Sequence, residues 1–243
     1  MSRVVVITGA SRGLGLRLAC KFLENGDTVF GVTKTKEHWL KAKQSVQSLD
    51  RFFLKQADLT SEKKVSSFLK AVVKEKGRLE VLINNAGYGG GLSRVEATDA
   101  SEFRKHFTHN LLSQFYMCKH AIPIFRSQRG GLIINISSMA GKRAVPRLAA
   151  YSASKFGVLA LSQCVAKENA DSGLKCITVC PGGMNTQMRS NLFGEKDAEA
   201  QQNADYVADV IMDIVNDKTH VESGGDIVIR HGKVTAINSS PDT

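Results

Sequence analysis

The sequence predicts an α/β protein: a doubly wound parallel sheet of seven strands with helices on both faces, in a single domain over residues 1–243. Three observations predict it. Seven short runs rich in Val, Ile and Leu recur along the chain, and most are continuously apolar, the mark of strands buried on both faces. Six segments of helical periodicity separate them, which implies parallel pairing through right-handed crossovers. The first run passes at once into a glycine-rich turn and then a helix.

That first run is RVVVIT (residues 3–8), followed by Thr8, Gly9, Ala10, Ser11, Arg12, Gly13, Leu14 and Gly15, then LRLACKFLENG ending at Gly26. A helix N-terminus presented by such a turn attracts a phosphate group. Gly9 permits the bend, Gly13 lets the backbone approach a pyrophosphate, Gly15 lets helix and strand pack closely, and Ser11 and Leu14 complete the cradle. The spacing is GxxxGxG rather than GxGxxG. After the second strand, TVFGV (28–32), come Thr33, Lys34, Thr35 and Lys36, with no acid before Glu37. An acid at this point holds ribose hydroxyls, whereas a basic residue accommodates a 2′-phosphate. Thr33 and Lys34, with Arg12 from the turn, therefore point to NADP(H) rather than NAD(H).

The third strand, RFFLKQ (51–56), leads to Asp58 and Leu59, placed past a strand end where open sheets take ligands and suited to an adenine. The fourth, EVLIN (80–84), opens into Asn84, Asn85, Ala86 and Gly87. Adjacent amides are costly inside a sheet unless satisfied, and they fit a strand end lining a cofactor cleft. A long helical pattern from 99 to 127 is expected to break near Pro123, and it carries Asn110 among apolar neighbours. The fifth strand (132–137) delivers Ser138, and the helix after Ala149 carries Tyr151 and Lys155. The sixth, KCITVC (175–180), runs into Pro181, Gly182, Gly183, Met184, Asn185 and Thr186. Residues 187–203 turn polar, with Met188, Leu192 and Phe193 as exceptions, and suit a substrate lid. A helix, ADYVADVIMDIV, and the seventh strand, DIVIR (226–230), complete the fold. Residues 236–243 are expected to fray.

Tyr151 and Lys155 are four apart, so on a helix both leave one face a turn apart. A phenol with a pKa of about 10 is a poor acid or base at neutral pH. An adjacent ammonium is expected to lower that value and poise Tyr151 to exchange a proton. A hydroxyl at Ser138 is placed to hold a substrate oxygen beside it. Such a Tyr and Lys also meet by chance on many helices, and the pair gains weight only from the rest of the chain.

Taken together, TGASRGLG at 8–15, NNAG at 84–87, Asn110, Ser138, YSASK at 151–155 and PGGMNT at 181–186 give the chain a resemblance to the short-chain dehydrogenase/reductase family along nearly its whole length. The resemblance implies a Rossmann-type fold and a catalytic tetrad of Asn110, Ser138, Tyr151 and Lys155. Tyr151 would donate a proton to a substrate carbonyl oxygen that Ser138 holds, while Lys155 binds the nicotinamide ribose. Asn110 would maintain a helix distortion. Asn85, Ala86 and Gly87 would line the cofactor cleft, and Pro181, Gly182, Met184 and Thr186 would fix the carboxamide. Substrate would meet Ser138, Met139, Tyr151, Gly183 and Met188. Many members carry a Gly-Gly pair after the final strand that helps build a tetramer. Here Gly224 and Gly225 precede it, and His231, Gly232 and Lys233 follow, which weakens the case for a tetramer and leaves a homodimer as the expected assembly. Arg147 stands where many members have a small residue.

Composition excludes other classes. An apolar content of 42% with 23% charged residues is ordinary for a soluble globular protein. The longest apolar runs are too short to span a bilayer, and no signal-peptide pattern opens the chain. Five scattered cysteines without metal-ligand spacing imply reduced thiols, a cytoplasmic location and no metal. The net charge of +10 is spread over helix faces with acids between, so no nucleic-acid partner is expected. The expected function is NADPH-dependent reduction of a small ketone or aldehyde. The alternatives are an NAD-linked alcohol dehydrogenase and a catalytically silent NADP(H) sensor.

Overall fold

The apolar runs pair into one sheet. In the computed structural model, which describes residues 2–44, 46 and 49–241, the strands are β1 (Val4–Thr8), β2 (Thr28–Thr33), β3 (Phe52–Gln56), β4 (Val81–Asn84), β5 (Gly131–Ile136), β6 (Leu174–Pro181), β7 (Asp226–Arg230) and β8 (Lys233–Asn238). Their spatial order is β3-β2-β1-β4-β5-β6-β7-β8. The first seven are parallel, and the chain order reverses between β1 and β4.

The eighth strand departs from the expected seven. It pairs antiparallel with β7 through His231 and Gly232, which have φ of 51° and 67°, the left-handed pair that a two-residue hairpin demands. Part of the segment expected to fray is therefore ordered strand. Residues 242 and 243 lie outside the described residues.

Each strand sends alternate side chains to opposite faces. Val5, Ile7, Ile134 and Ile177 meet α1 (Gly13–Glu24) and α9 (Ala204–Val215) through Leu18, Phe22, Val207 and Ile211. Val6, Leu82, Ile133 and Cys176 meet α3 (Glu62–Lys76), α5 (Ser113–Gln128) and α6 (Ala149–Lys167) through Leu69, Met117, Phe125 and Val165. The remaining helices are α2 (Lys36–Gln44), α4 (Ala100–His106), α7 (Gln187–Phe193) and α8 (Glu195–Glu199). An ion pair fixes the start of β1: buried Asp27 accepts from the Arg3 backbone N–H and guanidinium, each at 2.9 Å.

The helical pattern from 99 to 127 does break, but not at Pro123. The α-helical register gives way at Phe107–Leu112, a π-helical turn between α4 and α5. Pro123 sits inside α5 on its exposed face, as does Lys119, whose carbonyl loses its N–H partner to the proline. The polar stretch after 186 is helical rather than irregular. It forms α7 and α8 on either side of Gly194, with both Asp197 carboxylate oxygens taken by the Arg189 guanidinium. Among the described residues no helix is long and apolar enough to cross a membrane.

Candidate active site

Where the strand order reverses, a cleft of about 420 Å³ opens at the C-terminal ends of the strands. Open parallel sheets take ligands at this point. It is lined by Gly9, Ser11, Arg12, Gly13 and Leu14 of the first turn, by Thr33 and Lys34 after β2, and by Asp58 and Leu59 after β3. Asn85, Ala86 and Gly87 after β4, Tyr151 and Lys155 of α6, and Met184, Thr186 and Met188 close it. Gly15, Asn110, Ser138, Met139, Pro181, Gly182 and Gly183 are not among its lining residues.

The glycine turn is shaped by close approach. Gly9 has φ of 68°, and a Cβ on Gly15 would collide with the Gly9 carbonyl oxygen and come within 2.5 Å of the Asn85 amide nitrogen. Gly15 thus holds the turn against the loop after β4 rather than touching the cleft. Thr8 completes this junction: its Oγ1 accepts the backbone N–H groups of Asn85 and Ala86, both at 2.9 Å, while Asn85 Nδ2 donates to the Thr8 carbonyl at 2.9 Å. The N-terminus of α1 carries no acid in its first turn and so presents uncompensated N–H dipoles to an anion.

The ends of β2 and β3 bring charged and hydroxyl groups to the cleft mouth. Arg12 and Lys34 are exposed, and Thr33 Oγ1 donates to Ser11 Oγ at 3.0 Å between them. Asp58 Oδ1 accepts the Thr60 hydroxyl at 2.8 Å and the Thr60 N–H at 3.1 Å, and these bonds hold its carboxyl below the usual range. A cradle that a Cβ would fill, a bare helix N-terminus and two cations fit a dinucleotide.

At the other end of the cleft, the Tyr151 phenol lies beside the Ser138 side chain. The expected depression of its pKa is not what the protein provides. Burial raises it, with the Ser138 side chain opposing, because the neighbouring ammonium is directed elsewhere. Lys155 Nζ, 5.9 Å from the centre of the Tyr151 ring, donates to the Ile136 carbonyl at the end of β5 at 2.8 Å. Lys155 is 3% exposed, and burial brings its pKa down to about 8. Ser137 Oγ donates to the Lys155 carbonyl at 2.8 Å, which pins α6 to the same strand end.

Asn110 lies within the π-helical turn, fully buried. Its Oδ1 accepts the Tyr88 N–H at 2.6 Å, and its Nδ2 donates to the Tyr88 carbonyl at 3.0 Å and to Ser154 Oγ at 3.1 Å. Ser154 Oγ then donates to the Tyr151 carbonyl at 2.7 Å. Asn110 thus connects the loop after β4 with the helix bearing Tyr151.

Ser138 and Met139 lie at a single tight turn, where Ser138 Oγ accepts the Ala140 N–H at 3.1 Å. Gly182 is bonded into the sheet, its N–H meeting the Ile229 carbonyl at 2.7 Å, and Gly183 packs on Gln201. Thr186 caps α7. Arg147 is exposed with φ of 64°, its carbonyl accepting the Ser93 N–H at 2.9 Å. Sequence reasoning missed Tyr88, His38, His109 and Gln187, all of which line the cleft. The position of Tyr88 immediately after NNAG was its only signal, His38 and Gln187 lie in polar stretches, and His109 stands beside Asn110 in FTHNLL with no signal of its own.

Residues 3–197 match the family model described as short chain dehydrogenase. The chain belongs to that family and is a short-chain oxidoreductase of CH–OH and C=O groups. It is 32% identical to 2-(R)-hydroxypropyl-CoM dehydrogenase of Xanthobacter autotrophicus, over 98% of this chain and all of that one. It is 29% identical to NADPH-dependent pterin aldehyde reductase of Arabidopsis thaliana, over 94% and 93% of the two chains. Among solved structures, ElxO with NADP bound superposes with a TM-score of 0.87 at 27% identity, covering 94% of this chain and 97% of the other.

Proposed function

We propose that the protein is an NADP(H)-dependent carbonyl reductase acting on a small ketone or aldehyde, with Tyr151 as the proton donor. The observation that carries the reading is that Tyr151 and Lys155 line the same cleft as the glycine cradle, with the Ser138 side chain beside the phenol. The bound nicotinamide would supply the hydride. Ser138 orients the carbonyl oxygen, and the Tyr151 hydroxyl delivers a proton to it as negative charge develops. A phenol whose pKa is raised by burial stays protonated at neutral pH, which favours the reductive direction. Lys155, cationic below about 8, binds the ribose hydroxyls, and Asn110 keeps α6 in register through Ser154.

Arg12 and Lys34 support NADP(H) over NAD(H), as does the cofactor named for the pterin aldehyde reductase. Residues 187–203 serve as the lid, bringing Met188 and Leu192 against Gly89 beside the cleft. Exposed Phe115 on α5 and Phe156 on α6 support a homodimer through these helices. The test is Tyr151→Phe. NADPH oxidation against a carbonyl panel should vanish while NADPH binding, read by fluorescence, stays within about threefold of wild type. Undiminished turnover in this variant would refute the assigned proton donor.

A further inference from the structure

A cluster of three side chains outside the proposed tetrad, His106, Tyr88 and Glu102, meets Tyr151 and Asn110 through the His106 ring. His106, the last residue of α4, is 2% exposed. Its ring stands edge-on to Tyr151, with centroids 6.1 Å apart and planes at 75°, and lies 5.0 Å from the Tyr88 ring. His106 Nδ1 is 3.4 Å from Asn110 Nδ2. His106 Nε2 is 3.7 Å from Glu102 Oε1, the oxygen that also accepts the Tyr88 hydroxyl at 2.7 Å.

These contacts assign the imidazole proton. The Tyr88 N–H can only donate, so the carbonyl oxygen of the Asn110 side chain faces it and the amide nitrogen faces His106. An amide NH₂ also only donates, and although its two hydrogens serve the nearer Tyr88 carbonyl and Ser154 Oγ, a protonated Nδ1 would set N–H against N–H at 3.4 Å, so Nδ1 presents its lone pair there and the proton resides on Nε2, toward Glu102. Gly90 is fitted to the same pair. A Cβ there would strike His106 Nε2 and come within 2.8 Å of Glu102 Oε1, which gives a reason for glycine inside the run from 89 to 91.

We propose that His106, as the neutral Nε2–H tautomer, is a positioning residue for the active site: it holds the Asn110 amide and the edge of the Tyr151 ring, with Glu102 and Tyr88 completing the support. The inference rests on the reading of Tyr151 as proton donor. Asn110 reaches Tyr151 through Ser154, so a disturbance at His106 arrives at Tyr151 by its ring and by its backbone. Protonation would turn Nδ1 into a donor facing a donor and undo the arrangement.

The groups facing His106 are Glu102 on α4, Tyr88 from the loop after β4, His109 in the π-helical turn and Tyr151 on α6. Burial lowers the His106 pKa from 6.5, Glu102 opposes this and His109 adds to it. Neutral His106 thus persists below the pH at which a free imidazole charges.

Nitrogen NMR of the imidazoles in the ligand-free protein, with the His106 signal assigned by His106→Gln, reads the tautomer directly. The expected result is a neutral Nε2–H ring at neutral pH that titrates below 6.5. An Nδ1–H ring, or an imidazolium at neutral pH, overturns the proposal. The kinetic arm follows NADPH oxidation with phenanthrenequinone as carbonyl probe. His106→Leu should lower kcat by about tenfold or more with the NADPH Kd within about twofold. His106→Gln, whose side-chain oxygen can accept from Asn110, should recover most of kcat and lose the acid limb of the pH profile. A Leu variant with wild-type kcat, or a Gln variant with an unmoved acid limb, overturns the proposal. If the Leu variant does not fold, the Gln variant and the NMR decide, and if the quinone is not turned over, the NMR decides alone. Tyr151→Phe assayed alongside separates the two readings. Activity in that variant removes the proton donor, whereas an inert Tyr151→Phe beside a fully active His106→Leu removes only the role of His106.

Discussion

Lys155 Nζ donates to the carbonyl of Ile136 at 2.8 Å, so the buried ammonium is seated on the end of β5 rather than on its helical neighbour. A charge in this position, removed from water, is held at a cost, and its pKa of about 8 records that cost.

The pH dependence follows with a definite sign. Lys155 is cationic below about 8 and neutral above it, so carbonyl reduction should decline as pH rises through about 8. Stability moves the other way. Since the unfolded lysine keeps its ordinary value of 10.5, the unfolded chain binds more protons between about 8 and 10.5, and Lys155 disfavours the fold less as pH climbs through that window. Comparing Tm for wild type and Lys155→Met at both ends of the window checks the second point. An activity profile flat to pH of about 10 would contradict the first.

Gly15→Ala should impair cofactor binding without removing any group that touches the cleft. The added methyl meets the Gly9 carbonyl and the Asn85 amide, so the turn must open. We expect a stability loss of about 1–3 kcal/mol by denaturant unfolding and an NADPH Kd raised about tenfold or more. Unchanged affinity would show that the cradle tolerates displacement.

Cofactor choice should depend on Arg12 and Lys34. Lys34→Asp combined with Arg12→Ala removes both cations from the cleft mouth and should cost about 2 kcal/mol of NADPH binding, or about thirtyfold in Kd. NADH, which lacks the extra phosphate, should change by less than about threefold by the same titration. Equal losses for both cofactors would place the phosphate site elsewhere.

The buried carboxylate of Asp27 should matter more than any surface ion pair. Asp27→Ala leaves the Arg3 guanidinium and backbone N–H without their acceptor, and a loss of about 3 kcal/mol is expected from chemical denaturation. Lys105→Ala, which breaks an exposed pair with Glu102, should cost under about 1 kcal/mol.

What was legible in the chain follows from how local its causes are. The cores of β1, β4, β5 and β6 are β-branched runs buried on both faces, and their composition alone announces them. The strand β8 was not legible: KVTAIN is largely exposed and exists because β7 offers it an edge, a cause well outside any short window. Pro123 misled for a related reason, since it lies on the exposed face of α5, and which face a proline takes is set by the packing of the whole helix. The positions of Tyr151, Lys155 and the glycine turn were readable from spacing. The direction of the Tyr151 pKa was not, because it depends on burial and on where Lys155 Nζ points. An Arg189–Asp197 contact joins α7 to α8, and the stretch between the two residues does not disclose it.

The π-helical turn at Phe107–Leu112 also sets which changes in length this stretch can absorb. Each residue in an α-helix advances the chain by about 100° of rotation, and the wide turn takes up one residue more than an α-helical turn without passing that rotation on. Deleting one residue from 107–112 would restore α-helical spacing and leave Gln114, Met117, Cys118, Ala121 and Phe125 facing inward. The loss would fall on Asn110, which would leave its place between Tyr88 and Ser154, so a deletion of a single codon there would spare the layer and strike the cleft.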